Sequence, residues 1–530
     1  MRPGNAGKAC WSDPQREQQA TTGLITGTDG CLRADRRTEV VERCERGARS
    51  SPQQRQHKMP YFALAKRRDN AEGRPMPNSG LSPLAELQPT PRFVSGSISR
   101  HIAVMTGTTA VGLMAIFVSD FANIFFLGRL GDLQLLAAVG YASSIMFFLI
   151  SAGVGMSIAV VALVAPALGA RDFARARRLA SHTALFAGAA ASLLVAALWP
   201  ALPALLGSLG AEARTLMLAQ EFLTIVLPSW PPLVLGMCAS AILRSAGEAR
   251  LAMLITLTGA VVATILDAVL ILGLGLGLRG AAISAFISHL AVLVLGLWLV
   301  VRSQGLLARP DWRAFEHDAV LIARFAVPIV LANLATPAGG AYVTLAMSRF
   351  SDSAVAGWAV IGRIIPIAFG AIFALSGAIA PIIGQNLGAR EFDRVRSALH
   401  SGLRFAAVLT AAAWLLLATA APTLVQLFNA SGEAAALIVF FCRWLAPLFV
   451  FFGTLFVCNA ACNALGRPHY ATLLNWGRAT LGTVLFVTLG SSWGSKGVLV
   501  GHMMGGIAFG IAAVVVVNRL IAQLEQHMRR

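Results

Sequence analysis

The chain has 530 residues, of which 56% are hydrophobic and 13% charged, and its mean hydropathy is +0.68. A soluble domain carries about 25% charged residues, so this chain has too few charges to cover the surfaces of soluble domains, and we expect lipid to cover them. The formal net charge of +18 does not indicate nucleic-acid binding, because the positive residues lie in the N-terminal tail and in short loops between apolar runs, as in membrane proteins.

Residues 1–95 form a tail that is rich in Arg, Gln, Pro, Gly and Ser. The tail has no sustained hydrophobic period and no apolar core of a signal peptide. We predict that it is disordered and cytoplasmic, and we assign it no chemistry. Alternatively, translation starts at Met59 or at Met76, and Met76 is preferred because it leads directly into the first apolar run.

Apolar runs of about 20 residues, long enough to cross a hydrocarbon core, recur from Ile102 to Leu520. They predict an all-α integral membrane protein with about twelve transmembrane helices. The predicted spans are 102–127, 135–167, 173–200, 213–244, 250–274, 280–302, 319–348, 354–386, 392–420, 434–465, 469–489 and 497–520. Prolines inside them, at 228–232 and at Pro366, are expected to act as bending points.

The loops between the spans alternate between arginine-rich and arginine-poor. The rich set contains Arg171, Arg175, Arg177, Arg178, Arg244, Arg250, Arg302, Arg309, Arg313, Arg390, Arg394, Arg396 and Arg467. The poor set contains Arg129, Arg214, Arg279, Arg349 and Lys496. Because positive loops stay in the cytoplasm, we predict a multi-pass inner (plasma) membrane protein with both termini cytoplasmic.

The chain resembles itself at a displacement of about 219 positions. Four pairs of short segments match in the same order: GARDFARAR at 169–177 with GAREFDRVR at 388–396, LRSAG at 243–247 with CNALG at 462–466, GLRG at 277–280 with GSKG at 494–497, and Arg129 with Asp132 against Arg349 with Asp352. Each pair occupies equivalent topological positions. The sequence therefore predicts two related six-helix lobes.

These lobes are predicted to span 96–303 and 319–520, with a cytoplasmic linker at 304–318 and a C-terminal tail at 521–530. Since six is an even number, both lobes enter the membrane from the same side, as parallel repeats related by an axis along the membrane normal. A substrate would bind between them near the midplane. Gly169 and Gly388 are expected to end their helices in a left-handed conformation, with Asp172 and Glu391 at the start of the next helices.

Several motifs together resemble the multidrug and toxic compound extrusion (MATE) family. They are Gly128-Arg-Leu-Gly131 followed by Leu136-Ala-Ala-Val-Gly140, the two Gly-Ala-Arg loops, LRSAG at 243–247, Ile265-Leu-Asp267 with Ile271-Leu-Gly273, and Ala464-Leu-Gly-Arg-Pro468. The similarity runs from about Gly107 to Val517. It implies a V-shaped pair of lobes that exports bulky, often cationic or amphiphilic, compounds against a proton or sodium gradient.

Acidic side chains deep in a membrane cost about 2.5–3.5 kcal/mol, so each needs a reason. Three lie well inside the predicted spans, and all are in the first lobe: Asp120, Glu221 and Asp267. Asp267 falls in the Leu-Asp pattern that the family carries on its fifth helix, and Asp120 shares a face of the first helix with Asn123. We predict that they bind the coupling ion. The alternative is that neighbouring Asn, Thr or backbone amide groups merely satisfy each acid.

The sequence also departs from the family. The family's first-helix acid usually lies near the position of Asn123, and the Asn usual one turn before the fifth-helix Asp is replaced by Ala263, with Thr264 beside it, so Thr264 joins the coupling set. Acids found in some branches on the seventh and tenth helices are absent. The choice between proton and sodium therefore stays open, and a second-lobe cation site is not expected.

Other polar residues inside the spans are candidates for the substrate cavity: Glu221, Asn333, Arg363, Gln385, Asn386, Asn459 and Asn463. Each has a structural alternative. Glu221 suits a rim position or an ion pair between helices, Arg363 can extend its charge to the interface, and the amides suit bonds between helices. Isolated His289 and His502 are interpreted as packed helix residues.

We weighed three other kinds of protein. A lipid-linked oligosaccharide or metabolite flippase of a related two-lobed fold would share the helical plan, but is expected to have extra helices and a strongly basic cavity. A channel would not need acids in one lobe only. An enzyme is not indicated, since the chain lacks a nucleotide-binding loop and a zinc-protease motif. We expect a monomeric secondary transporter with no metal site and no cofactor beyond its coupling ion.

Overall fold

The computed structural model describes residues 91–309 and 311–529, and within these ranges the chain is almost entirely helical and has no strand. The tail predicted for 1–95 lies outside the described residues except for 91–95. Eleven helices in the described ranges are long and apolar enough to cross a membrane. The all-α membrane fold is confirmed.

The helices, numbered along the chain, correspond to the twelve predicted spans. They are α1 Ile98–Gly128, α2 Leu133–Gly169, α3 Phe173–Ser208, α4 Ala213–Ala246, α5 Ala249–Gly273, α6 Gly277–Gln304, α7 Trp312–Met347, α8 352–388, α9 Phe392–Leu427, α10 Gly432–Ala464, α11 468–490 and α12 Gly494–Arg529. The count of eleven arises because α11 and α12 are continuous except for a short turn, at Ser491–Trp493, in one stretch, Pro468–Arg529.

Several helices are interrupted. In α4, a 3₁₀ turn at Leu227–Ser229 lies within the proline cluster, and α8 breaks at Phe369, three residues after Pro366, so both predicted bending points are interrupted in the structure. Wider π-helical turns occupy Ala268–Gly273 in α5 and Arg478–Leu485 in α11. Such turns release backbone groups from regular hydrogen bonding and occur often at functional sites.

The first half, α1–α6, packs α1 against α5 and α6 against both α4 and α5. The second half, α7–α12, packs α7 against α11 and α10 against α12 in the corresponding arrangement. The halves meet through α1 and α2 of the first and α7 and α8 of the second. Small residues allow this close packing in a membrane, where helices gain little from the hydrophobic effect.

The ends of α2 and α8 cross each other through two glycines. A Cβ at Gly169 would lie 1.9 Å from the carbonyl oxygen of Gln385, and a Cβ at Gly388 would lie 2.0 Å from that of Pro166. At the displacement of 219, Gly169 corresponds to Gly388 and Pro166 to Gln385, so each contact is the symmetry equivalent of the other. The repeat axis therefore passes through this crossing.

The predicted role of these glycines as left-handed helix ends is wrong. The positive φ angles belong to Arg171, at 59°, and Arg390, at 63°. Gly169 and Gly388 are instead the points where two backbones touch, which leaves no room for a side chain. The two acids do lie at the start of the next helices, as expected. Asp172 also accepts a hydrogen bond from the backbone N–H of Arg175 at 3.0 Å, while the side chain of Glu391 makes no such bond in the described ranges.

We call the end of the bundle with the Gly-Ala-Arg loops, at 170–172 and 389–391, the basic end. Here the segment 91–97 before α1 lies between the halves. The backbone N–H of Phe93 donates to Gln385 Oε1 at 2.9 Å, and its carbonyl accepts from Asn386 Nδ2 at 3.1 Å and Arg394 Nη2 at 2.9 Å. Gln385 Nε2 in turn donates to the carbonyl of Ser245 on α4 at 2.7 Å.

A second polar cluster joins the halves at the same end, between α3 and α7. The carboxylate of Asp318 accepts from His182 Nδ1 at 2.8 Å and pairs with Arg178 Nε at 3.0 Å. The Ser181 hydroxyl accepts a bond at 2.8 Å from the backbone N–H of Ala308, in the connection between the halves. These contacts close the basic end.

Towards the other end, which we call the open end, the halves separate. Along one stripe of α1, Ile102 is 0% and Thr106 5% exposed, whereas Asp120 is exposed and Ile124 is 40% exposed. A stripe of α7 also loses cover in this direction, from Ala326 and Ile329 at 0% through half-buried Asn333 to exposed Thr336 and Thr344. It is not the repeat equivalent of the α1 stripe, whose counterparts Leu321, Phe325, Gly339 and Val343 are all buried. Both stripes lose cover towards this end, and we interpret the space between them as a chamber between the halves. Asp120 and Ile124 border it on one side, and Thr336 and Thr344 on the other.

Candidate functional site

The two predicted coupling acids come together in the first half, on α1 and α5. Asn123 Nδ2 donates to Asp267 Oδ2 at 2.8 Å, which ties the two helices together. Asp267 is 2% exposed and ends the regular part of α5, directly before the π-helical turn. Asp120 is one turn before Asn123 and near enough to Asp267 for the two negative charges to repel each other.

The direction of Asp120 follows from its neighbours on α1. A Cβ at Gly370 in α8 would lie 3.7 Å from Phe117, so the face of Phe117 is turned to the second half. Asn123 faces α5 through its bond to Asp267. Residues three apart differ by about 60° around a helix, so Asp120 points between these two directions, into the chamber. Of the pair, one acid is covered and the other opens to the space between the halves.

The surroundings of Asp267 contain two hydroxyl groups that bond to helix backbone. Thr264 Oγ1 donates to the carbonyl of Ala260, one turn earlier on α5, at 2.9 Å. Ser284 of α6, which is fully buried, donates to the carbonyl of Ala263 at 3.0 Å. In this conformation both hydroxyl oxygens keep free lone pairs, so they remain available as ligands to a small cation near Asp267.

The second half has no acid at the equivalent positions. At the displacement of 219, Gly339 stands for Asp120, Tyr342 for Asn123 and Phe486 for Asp267. The Tyr342 hydroxyl shares a hydrogen bond with Thr488 Oγ1 at 2.8 Å, which joins α7 to α11 as Asn123 joins α1 to α5. The paired helices are thus linked in both halves, but only the first half links them through a carboxylate.

The candidate cavity residues fall in several places. Glu221 forms an ion pair with Arg279 between α4 and α6. Gln385 and Asn386 are fully buried and bind the segment 91–97 at the basic end, and Arg363 is exposed on α8. Asn333 lies half-buried on the α7 stripe, where its amide donates to the carbonyl of Ile329 at 2.8 Å.

Asn459 and Asn463 lie on one face of α10, and the side-chain oxygens of both are buried without a hydrogen-bond partner in the described part of the chain. They line the interior of the second half, on the same face as Phe452. Their amide oxygens are therefore available to accept a bond from a ligand or from water.

One charged residue inside the second half was not among the site residues predicted from the sequence. Arg478 on α11 is 3% exposed, and within the described ranges it is the only lysine or arginine that is so deeply buried. The signal was present, since Arg478 stands ten residues into the run 469–489.

The two related halves of membrane-spanning helices and the acid pair on α1 and α5 define a class of protein: a polytopic α-helical membrane transporter. Comparison with known proteins gives the family. The family model MatE matches residues 109–269 and again residues 328–488, which together exceed half of the chain and are offset by the repeat distance of 219. The chain belongs to the MATE family of membrane transporters.

The chain is 28% identical over 442 residues to a FAD transporter from Shewanella oneidensis, a match that covers 81% of this chain and 96% of the relative. It is 22% identical over 413 residues to the multidrug export protein MepA from Staphylococcus haemolyticus, covering 77% and 90% of the two chains. Among solved structures, a mutant of the Vibrio cholerae MATE transporter VcmN has a TM-score of 0.77 at 23% identity, over 81% of this chain and 98% of that one.

A second structure, titled as the outward-facing conformation of a multidrug resistance MATE family transporter, also has a TM-score of 0.77, at 21% identity, and covers 82% of this chain and 98% of that one. These likenesses confirm the fold predicted from the sequence. The predicted internal repeat is confirmed by the double match of the family model.

Proposed function

We propose that the protein is a secondary active exporter that moves bulky organic compounds out of the cell in exchange for protons or sodium ions. The observation that carries this proposal is the pair Asp120 and Asp267, which lie on neighbouring helices α1 and α5 near enough for their charges to interact. In this proposal the two halves of the protein lie in the inner membrane, and the basic end faces the cytoplasm because that end carries the arginine-rich loops.

The acid pair couples an ion to movement through charge. Two carboxylates in a membrane interior repel each other, and the repulsion is strong because little water is present to screen it. A bound proton or sodium ion removes the repulsion, which favours a closer approach of α1 to α5. An ion shifts a conformational equilibrium only if it binds one state more tightly. We therefore expect the ion-bound and ion-free proteins to differ in the position of α1, and so in how α1 packs against α8 of the other half.

The decisive experiment uses the full chain in proteoliposomes with imposed pH or sodium gradients. Ethidium and FAD serve as separate cargoes, and Asp120→Asn and Asp267→Asn are compared with Asp352→Asn, which changes an exposed acid on α8. We expect one of the gradients to drive transport in the wild type and in Asp352→Asn but not in the other two. Coupled transport that persists in both Asp120→Asn and Asp267→Asn would exclude the proposed ion site.

A second candidate cargo class is a cellular metabolite. It is favoured by the relative named a FAD transporter, which matches 81% of this chain. FAD combines a flat ring system with a diphosphate, so it differs from a cationic drug in charge and not in bulk. Transport of FAD but not of ethidium in the same proteoliposomes would identify the protein as a metabolite exporter.

A further inference from the structure

The two halves differ in the charge that they bury. The buried charged group of the first half's coupled helices is Asp267, on α5 next to a π-helical turn. In the second half the helix equivalent to α5 is α11, and its π-helical turn begins at Arg478, which is 3% exposed. Each half thus places one buried charge beside a wide turn of the corresponding helix, but the signs are opposite.

Arg478 has few partners for a buried guanidinium. Its Nη2 group donates a long bond, 3.4 Å, to Thr336 Oγ1, and its charged carbon lies 5.3 Å from the centre of the Phe452 ring. Its Nε–H has no hydrogen-bond partner, and within the described ranges no carboxylate forms an ion pair with it. A buried charge without a counter-charge is costly in a membrane, so the site is incomplete as it stands.

The groups around Arg478 can donate further hydrogen bonds. Thr483 Oγ1 lies 3.9 Å from a Cβ built at Gly339, one turn along α7 from Thr336. The His502 ring packs against Phe452, as the Arg478 guanidinium does. Thr483 Oγ1 and His502 Nδ1 are both buried, and both lack a partner in the described part of the chain. Beside a guanidinium, a hydroxyl or an imidazole N–H adds a donor to the same space. An anion would offer an acceptor to both groups, with His502 in the tautomer that carries its proton on Nδ1.

Aromatic rings and an opening towards the chamber complete the site. The ring of His502 lies 5.6 Å from that of Phe452 and 5.7 Å from that of Trp358, measured between ring centres. Thr336, which accepts the bond from Arg478, is exposed on the α7 stripe that borders the chamber. Arg478 thus lies one hydroxyl group behind the wall of the space where a substrate would bind.

We infer that Arg478 binds an anionic group, a phosphate or carboxylate, of an aromatic substrate that enters the chamber. The guanidinium supplies the counter-charge, Thr336, Thr483 and His502 supply further hydrogen bonds, and Phe452 and Trp358 supply apolar contact for the ring system. The inference rests on the proposed function, in that the bound molecule is the cargo, and it narrows the cargo to organic anions.

The test measures binding of two probes that differ by one phosphate, riboflavin 5′-phosphate and riboflavin, to the purified full-length protein. Flavin fluorescence reports both. We expect the wild type to bind the phosphorylated probe more tightly by about tenfold or more, which corresponds to one charge-assisted contact. Arg478→Gln should remove this preference and leave the affinity for riboflavin unchanged. Arg443→Gln, which changes an exposed arginine on α10, should retain it.

Equal affinities of the wild type for the two probes, or an unchanged preference in Arg478→Gln, would overturn the inference. If Arg478→Gln does not fold, Arg478→Lys replaces it, because lysine keeps the charge but loses the bidentate geometry of the guanidinium. We expect an intermediate preference for the phosphorylated probe in this variant. An undiminished preference would overturn the inference. The two proposals can be refuted independently. Gradient-driven ethidium transport without a phosphate preference would refute only the anion site. A phosphate preference without gradient-driven transport would refute only the proposed exporter.

Discussion

At the scale of single residues, Asn123 is the link between the first helix and the fifth. Its amide donates to Asp267 Oδ2 at 2.8 Å, so Asn123 fixes one oxygen of this carboxylate. An amide that holds a carboxylate in place without neutralising it preserves the negative charge for an arriving ion.

We expect Asn123→Ala to raise the ion concentration needed for half-maximal transport by about tenfold, because the ion then has to order the Asp267 side chain itself. The measurement is the ion concentration needed for half-maximal transport in proteoliposomes. Thr256→Val is the matched control, because that hydroxyl donates within its own helix, to the carbonyl of Met253 at 2.9 Å. An unchanged half-maximal concentration in Asn123→Ala would show that the bond has no part in coupling.

Gly169 and Gly388 are the second case at this scale. Since a Cβ at either position would overlap a carbonyl oxygen of the other half, the alanine variants have to push α2 and α8 apart. We expect each variant to lower the free energy of unfolding of the closed form by about 1–3 kcal/mol. The measurement is the unfolding temperature in detergent, which should fall.

Gly377→Ala tests whether any added methyl group has this effect. It lies on α8, like Gly388, but a Cβ there meets nothing within 4 Å. The explanation is refuted if Gly377→Ala is as destabilising as Gly388→Ala.

At the scale of elements, the segment 91–97 acts as a strap across the basic end. Phe93 is 2% exposed and lies against His101, with ring centres 5.3 Å apart, while Arg92 forms an ion pair with Glu248. The strap thus contacts the turn between α4 and α5 in the first half and α8 in the second. The proposed export requires the basic end to open, and these contacts would then break in each cycle.

Phe93→Ala should loosen this end, because the removal of a buried aromatic side chain costs about 3–5 kcal/mol of packing. The measurement is the rate at which a thiol reagent labels Ser245→Cys, a fully buried site whose carbonyl accepts from Gln385. Labelling should be faster in Phe93→Ala than in the parent. The control is Arg100→Ala, which changes an exposed residue in the first turn of α1 and should leave the labelling rate unchanged. Equal labelling rates in Phe93→Ala and Arg100→Ala would contradict the role of the strap.

At the scale of the whole molecule, the basic end is closed and the halves separate towards the other end, which the proposed function makes one state of a transport cycle. A cross-link at the α2–α8 crossing should trap this state. A Cβ at Gly384 would lie 2.9 Å from that of Ala165, and disulfides have Cβ atoms about 3.8 Å apart, so Ala165→Cys with Gly384→Cys needs only a small shift to form one.

In a background without the native cysteines, we expect oxidation of this pair to stop transport and reduction to restore it. The two single variants control for the substitutions themselves, and oxidation should leave both active. Transport that continues after complete cross-linking would mean that the crossing does not separate during the cycle, and rocking of the halves would then be excluded.

The sequence by itself determined the element plan and the repeat. Twelve apolar runs need helices to satisfy their backbone in lipid, so their positions follow from composition alone, and the displacement of 219 is visible in the loops. It also pointed to Asp120, Asn123 and Asp267, because an acid inside an apolar run is conspicuous.

Only the tertiary structure decided what the residues face. It placed Gln385 and Asn386 at the closed end, revealed that Gly169 and Gly388 are needed for backbone contact and not for turn geometry, and showed that Arg478 is buried without an acid. The physical reason is that exposure, charge compensation and close approach depend on neighbours far apart in the chain, such as Gln385 beside Gly169, whereas the requirement that a span be apolar and helical acts on each segment alone.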